Sequence, residues 1–220
     1  MSRALAWMAA CCVLLAWGGE AAAQEAWVSI CHGYGCAAES VVHYDSELLQ
    51  AVVHRLQGAD SAAAERAILA GAIGGLYRVA GEQTVVAADR GGNFADEEGS
   101  GRMDCIDHST STTRLLQLLE SRGALRFHRV LERERRGRFF QHYSAVIEEL
   151  EMSASGGAPA VTHSEAGEDC ACDAQAPLAD AAATSLARRY VVDSWFVDNG
   201  EPAVVLPLAD WLDGEGPNVQ

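Results

Sequence analysis

The chain has no lysine: its sixteen basic residues are all arginines, set against 31 acidic residues. This absence excludes chemistry that depends on a lysine amine, such as a Schiff base or a serine–lysine dyad. The net charge of −15 also argues against nucleic acid or anionic lipid as a partner. Neutral or cationic partners, such as peptides and proteins, are compatible with this charge.

Beyond its first residues the sequence also lacks any apolar run of the ~20 residues that a bilayer span requires. The start of the chain has Arg3, a short apolar run over 4–17 and small residues up to Ala23. This pattern is typical of a secretory signal peptide. We therefore expect cleavage of residues 1–23, a periplasmic or secreted location, and a single mature domain over 24–220 without a membrane span.

Without the signal segment the chain carries five cysteines, an odd number. An oxidising compartment is expected to pair four of them and to leave one free. The disulfide candidates lie in the motifs CHGYGC and EDCACD: Cys31, Cys36, Cys170 and Cys172. The sequence leaves open whether they pair within or between the motifs, and a metal site that adds His32 and His163 to these thiols is the alternative. Cys105 lies outside both motifs.

The spacing of apolar residues predicts an α+β fold in which helices pack on an antiparallel sheet. Helical periodicity predicts helices near 45–58, 60–81 and 105–123, and strand-like alternation around Gly137 predicts an antiparallel hairpin. Three glycines indicate that another backbone approaches the second helix closely: Gly71, Gly74 and Gly75. The segment RRYVVDSWF predicts a further strand, and residues 151–187 read as an inserted surface loop.

Cys105 opens the third predicted helix, where the unsatisfied backbone N–H groups favour a thiolate. A nucleophilic thiol also needs a base and a group that orients the base. His142 in a predicted strand and Asp193 in the following strand offer these two groups in chain order. The three residues together predict a catalytic triad.

The stretches MDCIDHST, QHYSAVIEE and YVVDSWF, taken in this order, resemble the transglutaminase-like superfamily. They are most similar to the bacterial transglutaminase-like cysteine proteinases, which share a papain-like core with the nucleophile at a helix N-terminus. The resemblance covers residues 85–200 and implies Cys105 as nucleophile, His142 as general base and then acid, and Asp193 as the orienting carboxylate. It implies a cysteine protease or amidase that hydrolyses a peptide or protein through a thioester, with no cofactor required.

Two acids flank the thiol. Asp104 and Asp107 are expected to raise the pKa of Cys105. Calcium binding is known in the proteinase branch, so the resemblance also implies these two acids as possible calcium ligands. His108 is close enough in sequence to compete with His142 as the base, although residues one helical turn apart rarely aim at each other's reacting atoms.

Two further residues complete the predicted site. Asn93 is the candidate second donor of an oxyanion hole, beside the backbone N–H of Cys105. Trp195 is expected to form a wall of the site.

The arginines between 126 and 138 are expected to form a solvated hairpin with Glu132 and Glu134 as partners.

The alternative to an enzyme is a non-enzymatic exported binding or scaffold protein on the same fold. In that case Cys105 is an inert thiol, and the acidic surface and the Cys/His motifs hold a partner or a metal ion.

Overall fold

The computed structural model describes residues 24–92, 100–151 and 184–217. The predicted signal segment, the second oxyanion donor Asn93, the cysteines Cys170 and Cys172, and most of the predicted insertion lie outside these ranges. Six strands and four helices of the described chain position the site. They are β1 (Ala26–His32), β2 (Ala38–Tyr44), α1 (Ser46–Gln57), α2 (Ala62–Gln83), α3 (Cys105–Ser121), β3 (His128–Arg136), β4 (His142–Glu149), β5 (Arg189–Asp193), β6 (Val204–Pro207) and α4 (Leu208–Leu212).

The strands form two antiparallel sheets, which confirms the α+β class. β1 pairs with β2 alone, and the second sheet has the order β3-β4-β5-β6. The predicted hairpin is present, with Gly137 at its turn in the left-handed region at φ +80°. β2 is not among the predicted strands, because in AESVVHY only Val42 and Tyr44 face the core and the alternation is too short to recognise.

Side-chain caps fix the starts of the first two helices where the sequence predicts them. The Asp45 carboxylate accepts the N–H of Leu48, and the Ser61 hydroxyl accepts the N–H of Ala64. α2 runs on to Gln83 instead of ending at Gly81. A Cβ on Gly81 would press on the Asn199 side chain, so this glycine serves a close contact and not a helix end.

α3 is the central helix of the described chain. It contacts β1 of the small sheet and β3, β4 and β5 of the large one, and it buries Leu115, Leu116 and Leu119 in the core between them. On the opposite face of the large sheet, α4 covers a smaller cluster that includes its own Trp211. Within the described ranges, no helix combines the length and the apolar character that a membrane crossing needs.

The side chains of β4 and β5 alternate between these two faces, as strand geometry requires. Ala145, Ile147 and Val192 belong to the core around α3, whereas Val146 and Val191 pack with Trp211 under α4. Because α3 begins at Cys105, the thiol belongs to the first face. The Cys105 sulfur lies 3.8 Å from the carbonyl oxygen of Gln141, so the start of α3 reaches the end of β4 at which His142 lies.

The predicted arginine hairpin has different partners from those expected. In the described chain Arg129 pairs with Glu148, and Arg133 donates to the hydroxyl of Thr110. Arg136 donates to the carbonyl of Glu215. The expectation that Glu132 and Glu134 pair with these arginines is wrong for the described residues, because the guanidinium groups bind partners on β4, α3 and the segment after α4 instead.

Of the three glycines predicted to mark a close approach, Gly74 does so. A Cβ at Gly74 would collide with the carbonyl of Glu201, whereas nothing lies within 4 Å of a Cβ at Gly71 or Gly75. The N–H of Ala203 donates to the carbonyl of Ala70 at 3.1 Å, so the chain before β6 runs directly along α2.

Gly74→Ala should therefore lower the free energy of unfolding by about 1–3 kcal/mol, the usual cost of overpacking. Gly71→Ala is the matched control, since it makes the same change in the same helix at an exposed position. It should be neutral or stabilise by up to about 1 kcal/mol through helix propensity. Urea unfolding of both variants measures the difference, and equal stabilities would contradict the close approach.

Candidate active site

Cys105 is the first residue of α3, and a reciprocal capping box fixes its backbone. One oxygen of Asp104 accepts the N–H groups of Ile106 and Asp107, each at 2.9 Å. The Asp107 carboxylate accepts the N–H of Asp104 at 3.1 Å in return. These bonds satisfy donors that a helix start otherwise leaves without partners.

The same two carboxylates hold the CHGYGC loop against the helix. Gly35 N donates to Asp104, and Tyr34 N donates to Asp107, both at 2.9 Å. Cys36 N donates to the other oxygen of Asp107 at 2.5 Å. Each of the four carboxylate oxygens thus accepts at least one backbone N–H. Calcium binding by these acids stays a prediction, and an ion there would have to share or displace these bonds.

A disulfide joins Cys31 to Cys36, so this motif pairs within itself. Among the described residues Cys105 is the free cysteine. Both disulfide sulfurs lie within 4.8 Å of a carboxylate oxygen of Asp107, and these atoms form the one group in the described chain with the spacing of metal ligands. Sulfurs joined to each other are not thiolate ligands, so a metal at this position would require the reduced chain.

His142 and Asp193 meet where β4 begins and β5 ends. His142 Nε2 lies 2.7 Å from Asp193 Oδ2, and both side chains are buried. Asp193 Oδ2 also accepts the indole N–H of Trp211 at 3.1 Å, while Oδ1 accepts the N–H of Trp195 at 3.2 Å. Three donors from three segments therefore hold this carboxylate in place.

Aromatic rings surround the imidazole of His142. The ring centroids of Trp195, Phe196 and Trp211 lie 4.7, 5.3 and 5.6 Å from that of His142. Nδ1 of His142 is buried and has no hydrogen-bond partner in the described chain. Because an ionised carboxylate can only accept, Nε2 carries the N–H of the hydrogen bond to Asp193, and Nδ1 is the bare nitrogen in the neutral form of the ring. It is the atom that can take up a proton.

The thiol of Cys105 lies against the backbone on both sides of His142. Its Sγ is 3.8 Å from the carbonyl oxygen of Gln141, and the N–H of Tyr143 also interacts with it. No hydrogen bond joins the thiol to the imidazole in the described chain. The structure thus brings His142 and Asp193 into contact and places Cys105 beside them, with its S–H directed at Gln141.

Burial raises the pKa of the Cys105 thiol, and the charges of Asp104 and Asp193 raise it further, while the N–H of Tyr143 opposes them. The neutral thiol is therefore the resting form at neutral pH. A thiol in this state needs a base at the moment of attack.

His108 cannot serve as that base, because both of its ring nitrogens are engaged. Nδ1 lies 2.8 Å from the hydroxyl of Ser194, and Nε2 lies 2.9 Å from Asp89 Oδ2. Thr112 and Tyr77 extend this buried network. Its function is to anchor α3 to the end of β5, next to Asp193.

Sequence reasoning missed two parts of this arrangement. One is the bond from Trp211 to Asp193, and the other is the network of His108 with Asp89 and Ser194. Trp211 lies in an apolar segment near the end of the sequence, which predicts that it packs in the core but does not indicate which residue accepts its indole N–H. The run of His108, Ser111 and Thr112 at helical spacing, on the face that continues with Leu115 and Leu119, is a usable signal of a buried polar network, but it does not name the partners.

Comparisons with protein-family models, with curated proteins and with solved structures find no match for this chain.

Asp104→Asn should shift the pH dependence of Cys105 alkylation to lower pH. The amide oxygen of asparagine keeps the helix cap but the hydrogen bond from Gly35 N is lost, and loss of the negative charge removes one cause of the raised thiol pKa. Rates of labelling by iodoacetamide between pH 6 and pH 10, followed by mass spectrometry, measure the shift. Asp60→Asn removes the same charge from an exposed residue before α2 and should leave the profile unchanged. An unaltered profile in Asp104→Asn would contradict this assignment.

Proposed function

We propose that this protein is an exported cysteine-dependent amide hydrolase, a protease or an amidase, that acts through a thioester on Cys105. The observation that supports this most strongly is the buried His142–Asp193 pair, which leaves Nδ1 of the imidazole without a hydrogen-bond partner, while the free thiol of Cys105 contacts the carbonyl of the preceding residue, Gln141. A buried polar atom without a partner is rare, and a functional role accounts for it.

The proposed attack begins with the Cys105 side chain. Rotation about its Cα–Cβ bond turns the S–H from the carbonyl of Gln141 towards Nδ1 of His142. His142 takes the thiol proton while Sγ bonds to the carbonyl carbon of the substrate amide, and Asp193 stabilises the imidazolium that forms. Catalytic hydrogen bonds are often absent or long in a free enzyme and form when the substrate binds.

The reaction then proceeds in two steps. The oxyanion of the tetrahedral intermediate accepts the backbone N–H of Cys105, and His142 returns its proton to the amine as the C–N bond breaks. A water molecule next loses a proton to His142 and attacks the thioester, which releases the carboxylic acid and restores the thiol. Transfer of the acyl group to an amine follows the same course and is less favoured, because water is the more abundant acceptor.

The arrangement of elements supports a transglutaminase-like core. A helix that begins with the nucleophile packs on an antiparallel sheet, and two neighbouring strands of that sheet carry the base and its acid in the implied chain order. The proposal of export rests on the signal-peptide pattern of residues 1–23 and is supported by the Cys31–Cys36 disulfide, since such bonds persist in oxidising compartments.

One observation favours the second candidate, an exported binding protein on the same fold. The thiol and the imidazole share no hydrogen bond, and burial keeps the thiol protonated. A cysteine that never reaches His142 would be inert.

His142→Ala should slow the labelling of Cys105 by iodoacetamide at pH 7 at least tenfold, the lower range of general-base assistance. His54→Ala is the matched control, since it removes an exposed imidazole from α1. Cys105→Ser should abolish the labelling. Equal rates in His142→Ala and the native protein would contradict the role of His142.

A peptide library with mass-spectrometric detection of cleavage tests turnover. The native protein should release products that Cys105→Ser and His142→Ala do not. If all three leave the library intact and the purified native protein contains stoichiometric metal, the binding protein is the better account.

A further inference from the structure

A cavity of about 470 Å³ opens beside the imidazole of His142. Its lining includes Phe140, His142, Trp195, Phe196 and Leu212. A cleft of this size can hold a small group, and its lining combines aromatic rings with the charged residues Arg136 and Asp213. Cys105 does not line the cavity, but two residues that do, Phe140 and His142, flank Gln141, whose carbonyl oxygen lies 3.8 Å from the Cys105 sulfur. The cavity is therefore adjacent to the backbone that the thiol contacts.

One residue that lines the cavity, Phe140, has a side chain that is almost fully exposed to solvent. Phe140 is 89% exposed, and its neighbour Phe139 is 94% exposed. Phe140 lines the cavity and Phe139 does not. An apolar occupant would cover the ring of Phe140 and remove apolar surface from water on both partners.

The charged residues of the cavity argue against an acidic occupant. Arg136 stacks on the ring of Trp211, with 4.7 Å between its Cζ and the ring centroid, and its Nη1 donates to the carbonyls of Trp211 and Glu215. Burial also lowers the pKa of Arg136. Asp213 lines the same cavity, so an acidic group would meet a carboxylate there. Arg136 thus supports the wall of the cavity and leaves the apolar rings as the recognition surface.

We infer that this cavity binds a large apolar side chain of a peptide substrate, such as phenylalanine, next to the amide that Cys105 attacks. The inference rests on the proposed function and adds its substrate class. Phe140 is the residue that determines specificity, and Trp195 and Phe196 form the inner wall.

Three thiol-alkylating reagents test this preference: N-acetyl-phenylalanyl, N-acetyl-alanyl and N-acetyl-glutamyl chloromethyl ketone. Each forms a bond between Sγ of Cys105 and the methylene carbon as chloride leaves, and the thiol proton passes to His142. In the native protein the phenylalanyl reagent should react on the order of tenfold faster than the alanyl one. The glutamyl reagent should show no gain. Intact-protein mass spectrometry gives the rates.

Phe140→Ala should reduce the preference for phenylalanine several-fold. Phe139→Ala removes an equally exposed ring outside the cavity and should leave the preference unchanged. Iodoacetamide carries no side chain, so its rate in each variant measures the reactivity of the thiol itself, and the rates of the three reagents are divided by it.

The outcomes separate the two proposals. If iodoacetamide labelling depends on His142 but the three reagents react equally, the substrate inference is overturned and the proposed function stands. The same holds if the preference survives in Phe140→Ala or the glutamyl reagent is fastest. If His142→Ala leaves iodoacetamide labelling unchanged, the proposed function fails and the substrate inference fails with it.

Discussion

The hydrogen bond between His142 and Asp193 joins the first residue of β4 to the last residue of β5. The pairing of Ala145 with Val192 brings both residues to the same end of the strand pair. Every other part of the site follows from this bond. The bond engages Nε2 of His142 and leaves Nδ1 without a partner. The same carboxylate accepts a hydrogen bond from the indole N–H of Trp211, which brings α4 into contact with the site. Both side chains are buried, and the low dielectric constant of a protein interior strengthens the bond.

The two acids beside the nucleophile have a structural role that accounts for their position. Asp104 and Asp107 cap α3 and bind the loop closed by the Cys31–Cys36 disulfide, so they tie the small sheet to the helix that carries the thiol. This arrangement has a cost for chemistry, because Asp104 raises the thiol pKa. A base that acts at the moment of attack resolves the conflict, since no resting thiolate is then needed.

Local signals predicted much of the fold. The starts of the helices at Asp45, Ser61 and Cys105 follow from caps and apolar spacing, and the turn at Gly137 follows from its glycine. The pair of His142 and Asp193, 51 residues apart, was predicted from residue type and order, which suit a base and its orienting acid. β2, the partner of the Trp211 indole and the partners of the arginines were not predicted, because they depend on contacts between distant segments that leave no local pattern.

The proposed attack by Cys105 depends most directly on the protonation of the His142 imidazole. Nitrogen-15 NMR of the His142 side chain distinguishes its two neutral tautomers. The structure predicts a proton on Nε2, bound to Asp193, and a bare Nδ1 that shifts when Cys105 is alkylated. A proton on Nδ1 would contradict the account, because that nitrogen could then not accept the proton of the thiol.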